Sequence, residues 1–407
     1  MGGLRSGWPG GSGLVRGVGA VVLSLGVMAA ATGCGSSSSG SDGSKIVVRM
    51  SAPMSGTAAV YGQIAMGFEA FMKAQNDEGG IGGFPIDLKV IDNVESPDGG
   101  ATTMLSLLAD KPDVVAIVGS TPTQASLQVV KAKKIQTPVF AASNAGVVGD
   151  SGVKNAYGMN TDYLEECYYD TQYLIDKFHA KKIALVYEDD PVAQKEGTDC
   201  PAYGKALGVD VTAIPVSATT TDFNSIAAKV KATGAQAAQI YGLDALSASV
   251  IKASSSIGFN PQWMTFSGTS YDSFIKLAGA QGEGILVSSW MVPIDSQSAE
   301  ADRFHAAMKK YYPQADNYLG AQGWTLAALA AYNLQKGIEA NDGKIPSAEQ
   351  LNEIIGQMNL PDGIGMSGGK MVYDGSASPV KELSVLQIKN GTLVTVAPPA
   401  PMPTAVP

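Results

Sequence analysis

Two loops in the first half of the sequence carry hydroxyl and amide groups that could hold an anionic oxygen. The run Gly119-Ser120-Thr121 follows a short apolar segment, and the run Ser143-Asn144-Ala145-Gly146 follows the next one. The first run leads into a stretch with helical periodicity, and the unpaired N–H groups at a helix start favour an anion. The same hydroxyl residues are common helix caps, so the pattern fits a ligand site and fits caps alone.

Residues suited to catalysis or metal binding are sparse. The two histidines, His179 and His305, lie far apart in helix-like segments, so a histidine-rich metal site is not expected. No Gly-x-Ser-x-Gly elbow stands at a strand-to-helix turn with a plausible histidine. The glycine-rich run 79–83 precedes a strand, which is the wrong order for a dinucleotide or phosphate loop. We therefore expect no enzyme activity, no metal and no cofactor.

The overall composition narrows the class of protein further. A chain of 407 residues that is 45% hydrophobic has enough apolar material for two cores. Its net charge of −9 argues against nucleic-acid binding, since such proteins usually present a face rich in lysine and arginine.

The first 33 residues have the composition of an export signal. They contain two arginines and no acidic residue, and their apolar run 21–31 is too short for a transmembrane helix. Small residues stand directly before Cys34, and this resembles a bacterial lipobox with Ala31 in place of the commoner leucine. We expect a signal peptide over 1–33, a lipidated Cys34 and a flexible Ser/Gly tether over 34–44. An ordinary signal peptide with an incidental Cys34 is the alternative.

Two further cysteines, Cys167 and Cys200, remain once Cys34 is assigned to the anchor. An even number of cysteines in an exported protein favours a disulfide between them. Two buried free thiols are the alternative.

From residue 45 onward, short β-branched runs alternate with amphipathic stretches, and the rhythm begins again after residue 160. Strands are predicted at 45–50, 85–91, 114–118, 138–142, 183–187, 209–215, 237–241, 262–266, 285–292, 371–373 and 383–388. Helices are predicted at 63–76, 101–109, 124–133, 165–178, 193–207, 223–232, 245–257, 298–311 and 320–337. This alternation predicts an α/β fold of two Rossmann-like lobes with parallel sheets, hinged by several crossovers.

A family resemblance appears in the loops between these elements. The run 51–56 (Ser-Ala-Pro-Met-Ser-Gly) with Tyr61-Gly62 resembles the type I periplasmic binding proteins, in particular the branched-chain amino-acid receptors of ABC importers. The pattern continues through 76–83 (Asn-Asp-Glu-Gly-Gly-Ile-Gly-Gly), Asp92, Pro97, 118–120 (Val-Gly-Ser) and 138–140 (Pro-Val-Phe). Each piece is a common loop, but their order and spacing together are specific, and the resemblance covers roughly residues 45–395.

The resemblance implies a receptor whose two lobes close on a small solute. Lobe one would comprise 45–161 and 290–368, and lobe two would comprise 162–289 and 369–398. A Pro-rich tail over 399–407 would follow. The default ligand site is the cleft between the lobes.

The resemblance also assigns candidate ligand contacts in lobe one. Positions matching Ser120, Ser143 and Ala145 hold the ligand's carboxylate and part of its ammonium in the amino-acid receptors, and Thr121 and Asn144 belong to the same loops. Tyr61 matches a position at the cleft rim, where its ring can cover the solute. A tyrosine that only packs against its own helix start is the alternative.

Lobe two departs from the family pattern. The loop that begins at Ser267 lacks the carboxylate that pairs with a ligand ammonium in the amino-acid receptors. Asp244 could replace that acid, or it could simply cap the helix that follows it. Glu188 belongs to an acidic run, and such runs are usually loops exposed to solvent. Because an uncompensated ammonium in a closed cleft is costly, an amide or a small carboxylate becomes as plausible a solute as an amino acid.

The expected function is a lipid-anchored, extracytoplasmic solute receptor that serves an ABC permease and its ATPase. We expect a monomer that binds a small molecule by hinge closure and requires no covalent chemistry. A sensory module that presents its closed form to a membrane receptor is the alternative, because the same fold supports both uses.

Overall fold

The computed structural model describes residues 44–403 except 57, 190–192, 218, 270 and 271. The strands are β1 (Ile46–Ala52), β2 (Ile86–Asp92), β3 (Val114–Val118), β4 (Val139–Ala142), β5 (Ala156–Gly158), β6 (Lys182–Glu188), β7 (Asp210–Val216), β8 (Ala237–Tyr241), β9 (Gln262–Thr265), β10 (Leu286–Ser289), β11 (Glu382–Lys389) and β12 (Thr392–Pro401). The α-helices are α1 (Gly62–Asp77), α2 (Pro97–Ala109), α3 (Ser120–Lys133), α4 (Ala145–Ser151), α5 (Tyr163–Phe178), α6 (Gln194–Ala206), α7 (Phe223–Ala232), α8 (Asp244–Ser256), α9 (Asp272–Ala278), α10 (Ala299–Tyr311), α11 (Tyr318–Ala340) and α12 (Ala348–Ile355).

These strands form two sheets, and each sheet is built around parallel strands. The first has the order β2-β1-β3-β4-β5 and is parallel throughout. The second has the order β12-β11-β10-β9-β8-β6-β7, and β11 and β12 are its antiparallel members. The predicted fold class, two α/β lobes with parallel sheets, is confirmed.

Each sheet has a switch point at which successive connections run in opposite directions across the sheet. It lies between β1 and β3 in the first sheet and between β6 and β8 in the second. The loops at the carboxyl ends of strands on either side of a switch point diverge and leave a crevice. The topology therefore places a candidate ligand crevice on each lobe.

Three segments connect the two lobes side by side. Backbone bonds join 290–292 to 366–368, for example from the Gly368 N–H to the Trp290 carbonyl at 2.8 Å. In the first crossover, 159–162, the Asn160 carbonyl accepts a hydrogen bond from the Ser378 hydroxyl at 2.9 Å. The chain thus crosses between the lobes at neighbouring segments that hydrogen bonds hold together.

Lobe one has an unusually close contact between helices α1 and α11. The rings of Phe71 and Trp324 meet edge to face, with centroids 4.8 Å apart. On the same contact, a Cβ added at Gly67 would lie 1.9 Å from the Gly320 carbonyl oxygen, and one at Gly323 would lie 1.8 Å from the Ile64 oxygen. Only glycine lets the two backbones approach this closely.

The C-terminal region differs from the sequence prediction. The predicted strand at 371–373 is absent: Met371 forms an isolated bridge with Val380, and Val372 forms one with Asn359. The partner of β11 is β12, which includes prolines that we assigned to the tail. Proline is tolerated here because β12 is the edge strand, where a missing N–H costs no ladder bond. The prediction also missed β5, α4, α9 and α12.

Candidate functional site

A cavity of about 330 Å³ lies where the carboxyl ends of strands from both sheets face each other. Its volume falls within the range of small-molecule sites. Its lining residues are Ala58, Tyr61, Ile64, Glu95, Val118, Gly119, Ser120, Thr121, Ala142, Ser143, Asn160, Tyr163, Glu188, Ala193, Glu196, Tyr241, Gly242, Leu243, Phe266, Gly268 and Gln322. Both switch points contribute, through the loops after β1, β3, β6 and β8.

Four of the predicted contacts line this cavity: Tyr61, Ser120, Thr121 and Ser143. The Ser120 oxygen accepts the Asn144 N–H at 3.2 Å, and the Ser143 hydroxyl donates to the Asn144 carbonyl at 3.4 Å. The Ser120 bond therefore connects the loops after β3 and β4, while the Ser143 bond lies within the loop after β4. Gly119 makes the turn into α3 with φ of +99°, a backbone conformation that favours glycine.

Asn144 and Ala145 are not among the lining residues. The Asn144 side chain caps α4 by accepting the Gly146 N–H at 2.9 Å. The Ala145 N–H donates to the Thr161 carbonyl at 3.0 Å, so the crossover between the lobes already uses the donor that we expected a ligand to take. Asn144 therefore acts as the N-cap of α4, and both residues lie outside the lining of the cavity.

Glu95 is a cavity residue that sequence reasoning missed. Its carboxylate accepts the backbone N–H of Thr121, at the start of α3. Its Oε2 lies 2.1 Å from the position that a Cβ on residue 119 would occupy. The carboxylate therefore packs directly against the backbone of Gly119. Burial raises the pKa of Glu95 to about 7, and the bond from Thr121 opposes that rise.

The loop before Glu95 explains why its carboxylate reaches α3. Val94 and Glu95 both have left-handed backbone angles, with φ of 49° and 48°. The buried Asn93 side chain holds this turn: its oxygen accepts the Glu95 N–H at 3.0 Å, and its amide donates to the Val118 carbonyl at 3.1 Å. Left-handed angles at two successive non-glycine residues are uncommon and carry no simple sequence signal.

Tyr61 lies on the cavity wall ahead of α1. Burial raises the pKa of its hydroxyl, and the negative charges of Asp244, Glu95 and Glu188 raise it further. The ring is therefore a neutral hydrogen-bonding surface within an acidic environment at any physiological pH.

The predicted lobe-two contacts lie beside the cavity wall. Asp244 is the first residue of α8, and its carboxylate accepts the Ser273 hydroxyl. Burial raises the pKa of Asp244 to about 6, and the hydrogen bond from Ser273 opposes that rise. Its neighbours Gly242 and Leu243 line the cavity, but Asp244 itself does not.

Ser267 belongs to an internal network rather than to the lining. Its N–H and its hydroxyl donate to the Glu166 carboxylate at 2.7 and 3.0 Å, while its neighbours Phe266 and Gly268 form the cavity wall. Glu166 is fully buried and also accepts the hydroxyls of Thr161 and Ser288, each at 2.6 Å. One carboxylate thus connects the crossover, the loop after β9 and strand β10.

A second buried acid, Asp170, lies one helical turn from Glu166. It accepts the Tyr241 hydroxyl at 2.7 Å. Burial raises the pKa of Asp170 well above its usual value, and the charge of Glu166 adds to the rise. The rings of Tyr241 and Phe266 stack 5.0 Å apart on the cavity wall. Tyr241 is held by its hydrogen bond to Asp170, and Phe266 precedes Ser267, which bonds to Glu166.

Comparisons with known proteins give the family. A family model described as "Periplasmic binding protein" matches residues 45–392, which is most of the chain. The chain belongs to the periplasmic binding protein family. Leu/Ile/Val-binding protein homolog 1 of Brucella melitensis is 28% identical over 250 residues, covering 61% of this chain and 67% of the relative. An amino acid binding protein of Pseudomonas aeruginosa is 24% identical, covering 64% and 72%.

Solved structures share the fold of this periplasmic binding protein. A branched-chain amino acid ABC transporter protein from Thermus thermophilus with bound valine has a TM-score of 0.78 at 17% identity, covering 88% of this chain and 97% of that one. A solute-binding protein from R. palustris in complex with benzoate has a TM-score of 0.72 at 18% identity, covering 88% and 98%. The predicted resemblance is confirmed, and its relatives are solute-binding proteins rather than enzymes.

Other features of this periplasmic binding protein bear on its environment. Cys167 and Cys200 form a disulfide that joins α5 to α6. Within residues 44–403, apart from the gaps given above, no helix has the length and apolar character needed to span a bilayer. The same residues hold no group of three or more metal-ligating side chains. The predicted lipidation site, Cys34, and the signal peptide lie outside the described residues.

Proposed function

We propose that this chain is an extracytoplasmic receptor that captures a small polar solute between its lobes and delivers it to an ABC permease and its ATPase. The observation that carries the proposal is the cavity, because its wall combines loops from both sheets. A solute touching both walls makes more contacts when the lobes are closed, so binding shifts the population toward the closed form.

The names of the relatives support the transport role. Relatives are named as Leu/Ile/Val-binding and amino acid binding proteins, and several neighbours in fold are named as ABC transporter substrate-binding proteins. The strand membership of the two sheets supports lobes that divide at 161/162, 289/290 and 368/369. We propose that the receptor acts as a monomer, because each lobe contributes its wall within one chain.

The lobe-one serines test where the solute binds. Replacing Ser120 and Ser143 together with alanine should weaken solute binding about 10- to 100-fold, because each hydroxyl hydrogen bond contributes about 0.5–1.5 kcal/mol. A thermal-shift screen of amino acids, amides, amines and small acids would first supply a ligand, and calorimetry would then measure the affinity.

The matched control for the serine pair is Ser249→Ala with Ser256→Ala on α8. Their hydroxyls donate to carbonyls of their own helix, at Ala245 and Ala253, and neither serine is among the described residues that line the cavity. The control should bind as the native chain does. Unchanged affinity in the Ser120/Ser143 variant, with cooperative unfolding retained, would refute the site.

We further propose that the receptor is held at the extracytoplasmic face of the membrane by a lipid on Cys34. Cys34→Ser should move the protein from the detergent phase to the aqueous phase in a Triton X-114 partition, because the acyl chains supply the membrane affinity. Ser36→Ala in the same tether is the control and should stay in the detergent phase. Equal partition of the Cys34 variant and the native chain would contradict the anchor.

A further inference from the structure

The start of α3 is where the family resemblance places the ligand's carboxylate, and in this chain an internal carboxylate already lies there. Glu95 accepts the Thr121 N–H and rests on the Gly119 backbone. Above pH 7, where Glu95 is ionised because its pKa is about 7, a solute carboxylate at the same point would meet a like charge, which is unfavourable for both groups. The cavity is therefore poorly suited to the anionic half of an amino acid.

The rest of the cavity wall has the opposite preference. Its carboxylic acids are Glu95 in the loop after β2, Glu188 at the end of β6 and Glu196 in the first turn of α6. Among the described lining residues there is no lysine, arginine or histidine. The neighbouring cation, Lys195, lies with its ammonium 2.6 Å from Asp150, outside the lining. The wall thus places several carboxylates around a volume of about 330 Å³.

Aromatic rings complete this wall. Tyr163 and Tyr241 both contact Phe266, with ring centroids 4.9 and 5.0 Å apart, and all three side chains line the cavity. Faces of aromatic rings attract cations, most strongly where water is excluded. Carboxylates with aromatic faces are a combination that recognises organic ammonium groups.

We infer that the solute is a small organic cation without a carboxylate, whose positive charge is placed against Glu95. This inference rests on the proposed function, since it names the solute class of the same cleft. Glu95 then has two roles: it caps α3, and it selects against solutes that carry a carboxylate. The missing acid in the loop at Ser267 is consistent with this assignment, because the ligand's counter-charge comes from lobe one.

Matched carbon skeletons test the inference on the purified full-length chain. The probes are 3-methylbutylamine, leucine and 4-methylpentanoate; 2-phenylethylamine, phenylalanine and 3-phenylpropanoate; and agmatine, arginine and 5-guanidinopentanoate. Thermal shift and calorimetry at pH 8 should show at least one amine bound at least tenfold more tightly than its amino-acid and carboxylate partners. Charge is the variable within each set, while the apolar part stays nearly constant.

Two variants connect the preference to Glu95. Glu95→Gln keeps an oxygen for the Thr121 N–H but removes the charge, so it should weaken amine binding at least tenfold. Glu95→Ala clears the start of α3 and should improve binding of the matching carboxylate relative to the native chain. Glu349→Gln, at an exposed position on α12, removes the same charge away from the cavity and should change neither.

The possible failures are distinguishable. Amino acids or carboxylates that bind more tightly than amines would overturn the cation assignment and leave the solute-receptor function standing. Amine binding that is unchanged in Glu95→Gln would overturn the role of Glu95. No binding by any probe to a chain that unfolds cooperatively would overturn the cation assignment, and the wider screen of amides and small acids would then decide the proposed function.

Discussion

Replacing Glu166 with alanine should lower the free energy of unfolding by about 3–5 kcal/mol, which is the range for breaking a buried charge network. The Glu166 carboxylate accepts four hydrogen bonds from Thr161, Ser267 and Ser288. Alanine leaves those donors without their acceptor inside a site from which water is excluded. The loss is large because three separate segments depend on one side chain.

A charge-neutral variant separates the hydrogen bonds from the charge. Glu166→Gln keeps one acceptor oxygen and relieves repulsion with Asp170, whose pKa the Glu166 charge helps to raise. We expect it to be less destabilising than alanine, but still to weaken solute binding, because the Ser267 N–H and hydroxyl compete for fewer acceptors. A lower solute affinity in the glutamine variant would therefore show that Glu166 positions the cavity wall at Phe266 and Gly268.

Urea denaturation followed by circular dichroism measures both changes, and Glu339→Ala is the control. Glu339 is exposed on α11, and its partners among the described residues, Gln335 and Lys336, lie on its own helix. Its removal should change stability by less than about 0.5 kcal/mol. A Glu166→Ala protein as stable as that control would contradict the structural role of the network.

Replacing Gly323 with alanine should destabilise lobe one by about 3 kcal/mol, at the upper end for overpacking a core. The new Cβ would lie 1.8 Å from the Ile64 carbonyl oxygen and 2.8 Å from the Phe68 nitrogen. Both atoms are backbone atoms of α1, so relief requires the two helices to separate. Separation would also break the edge-to-face contact of Phe71 with Trp324.

The sign of this effect distinguishes packing from helix propensity. Alanine is favoured over glycine in a helix interior by about 1 kcal/mol, so an uncrowded site would gain stability. Gly356→Ala is the matched control, because its φ is −64° and its new Cβ would lie 3.4 Å from the nearest atom. Denaturation midpoints should fall for Gly323→Ala and hold or rise for Gly356→Ala. A stabilised Gly323→Ala would disprove the close helix contact.

The arrangement of the lobes was predictable because it follows from periodicity. Alternating β-branched and amphipathic runs predict parallel sheets, and the carboxyl-end rule then places Ser120, Thr121 and Ser143 at the crevice. The hairpin of β11 and β12 was missed although Asn390-Gly391 is a strong turn signal. The prolines after residue 397 are more typical of a tail than of a strand. They are compatible with β12 because it is an edge strand.

The missed site residues depend on contacts that a linear pattern does not encode. Glu95 reaches α3 through two left-handed residues, and Glu166 reads as an ordinary acid in the first turn of a helix. Ala145 fails to reach the cavity because a carbonyl of the crossover, at Thr161, takes its N–H. In each case the partner lies in a segment distant in sequence, so sequence spacing alone predicts the wrong environment.

Hydrogen–deuterium exchange with and without the tightest-binding probe tests the two-lobed capture most directly. We expect slower exchange in the loops after β1, β3 and β4 together with those after β6, β8 and β9, and unchanged exchange in the outer helices. Protection confined to one lobe, or located away from these strand ends, would contradict closure of both lobes on the solute.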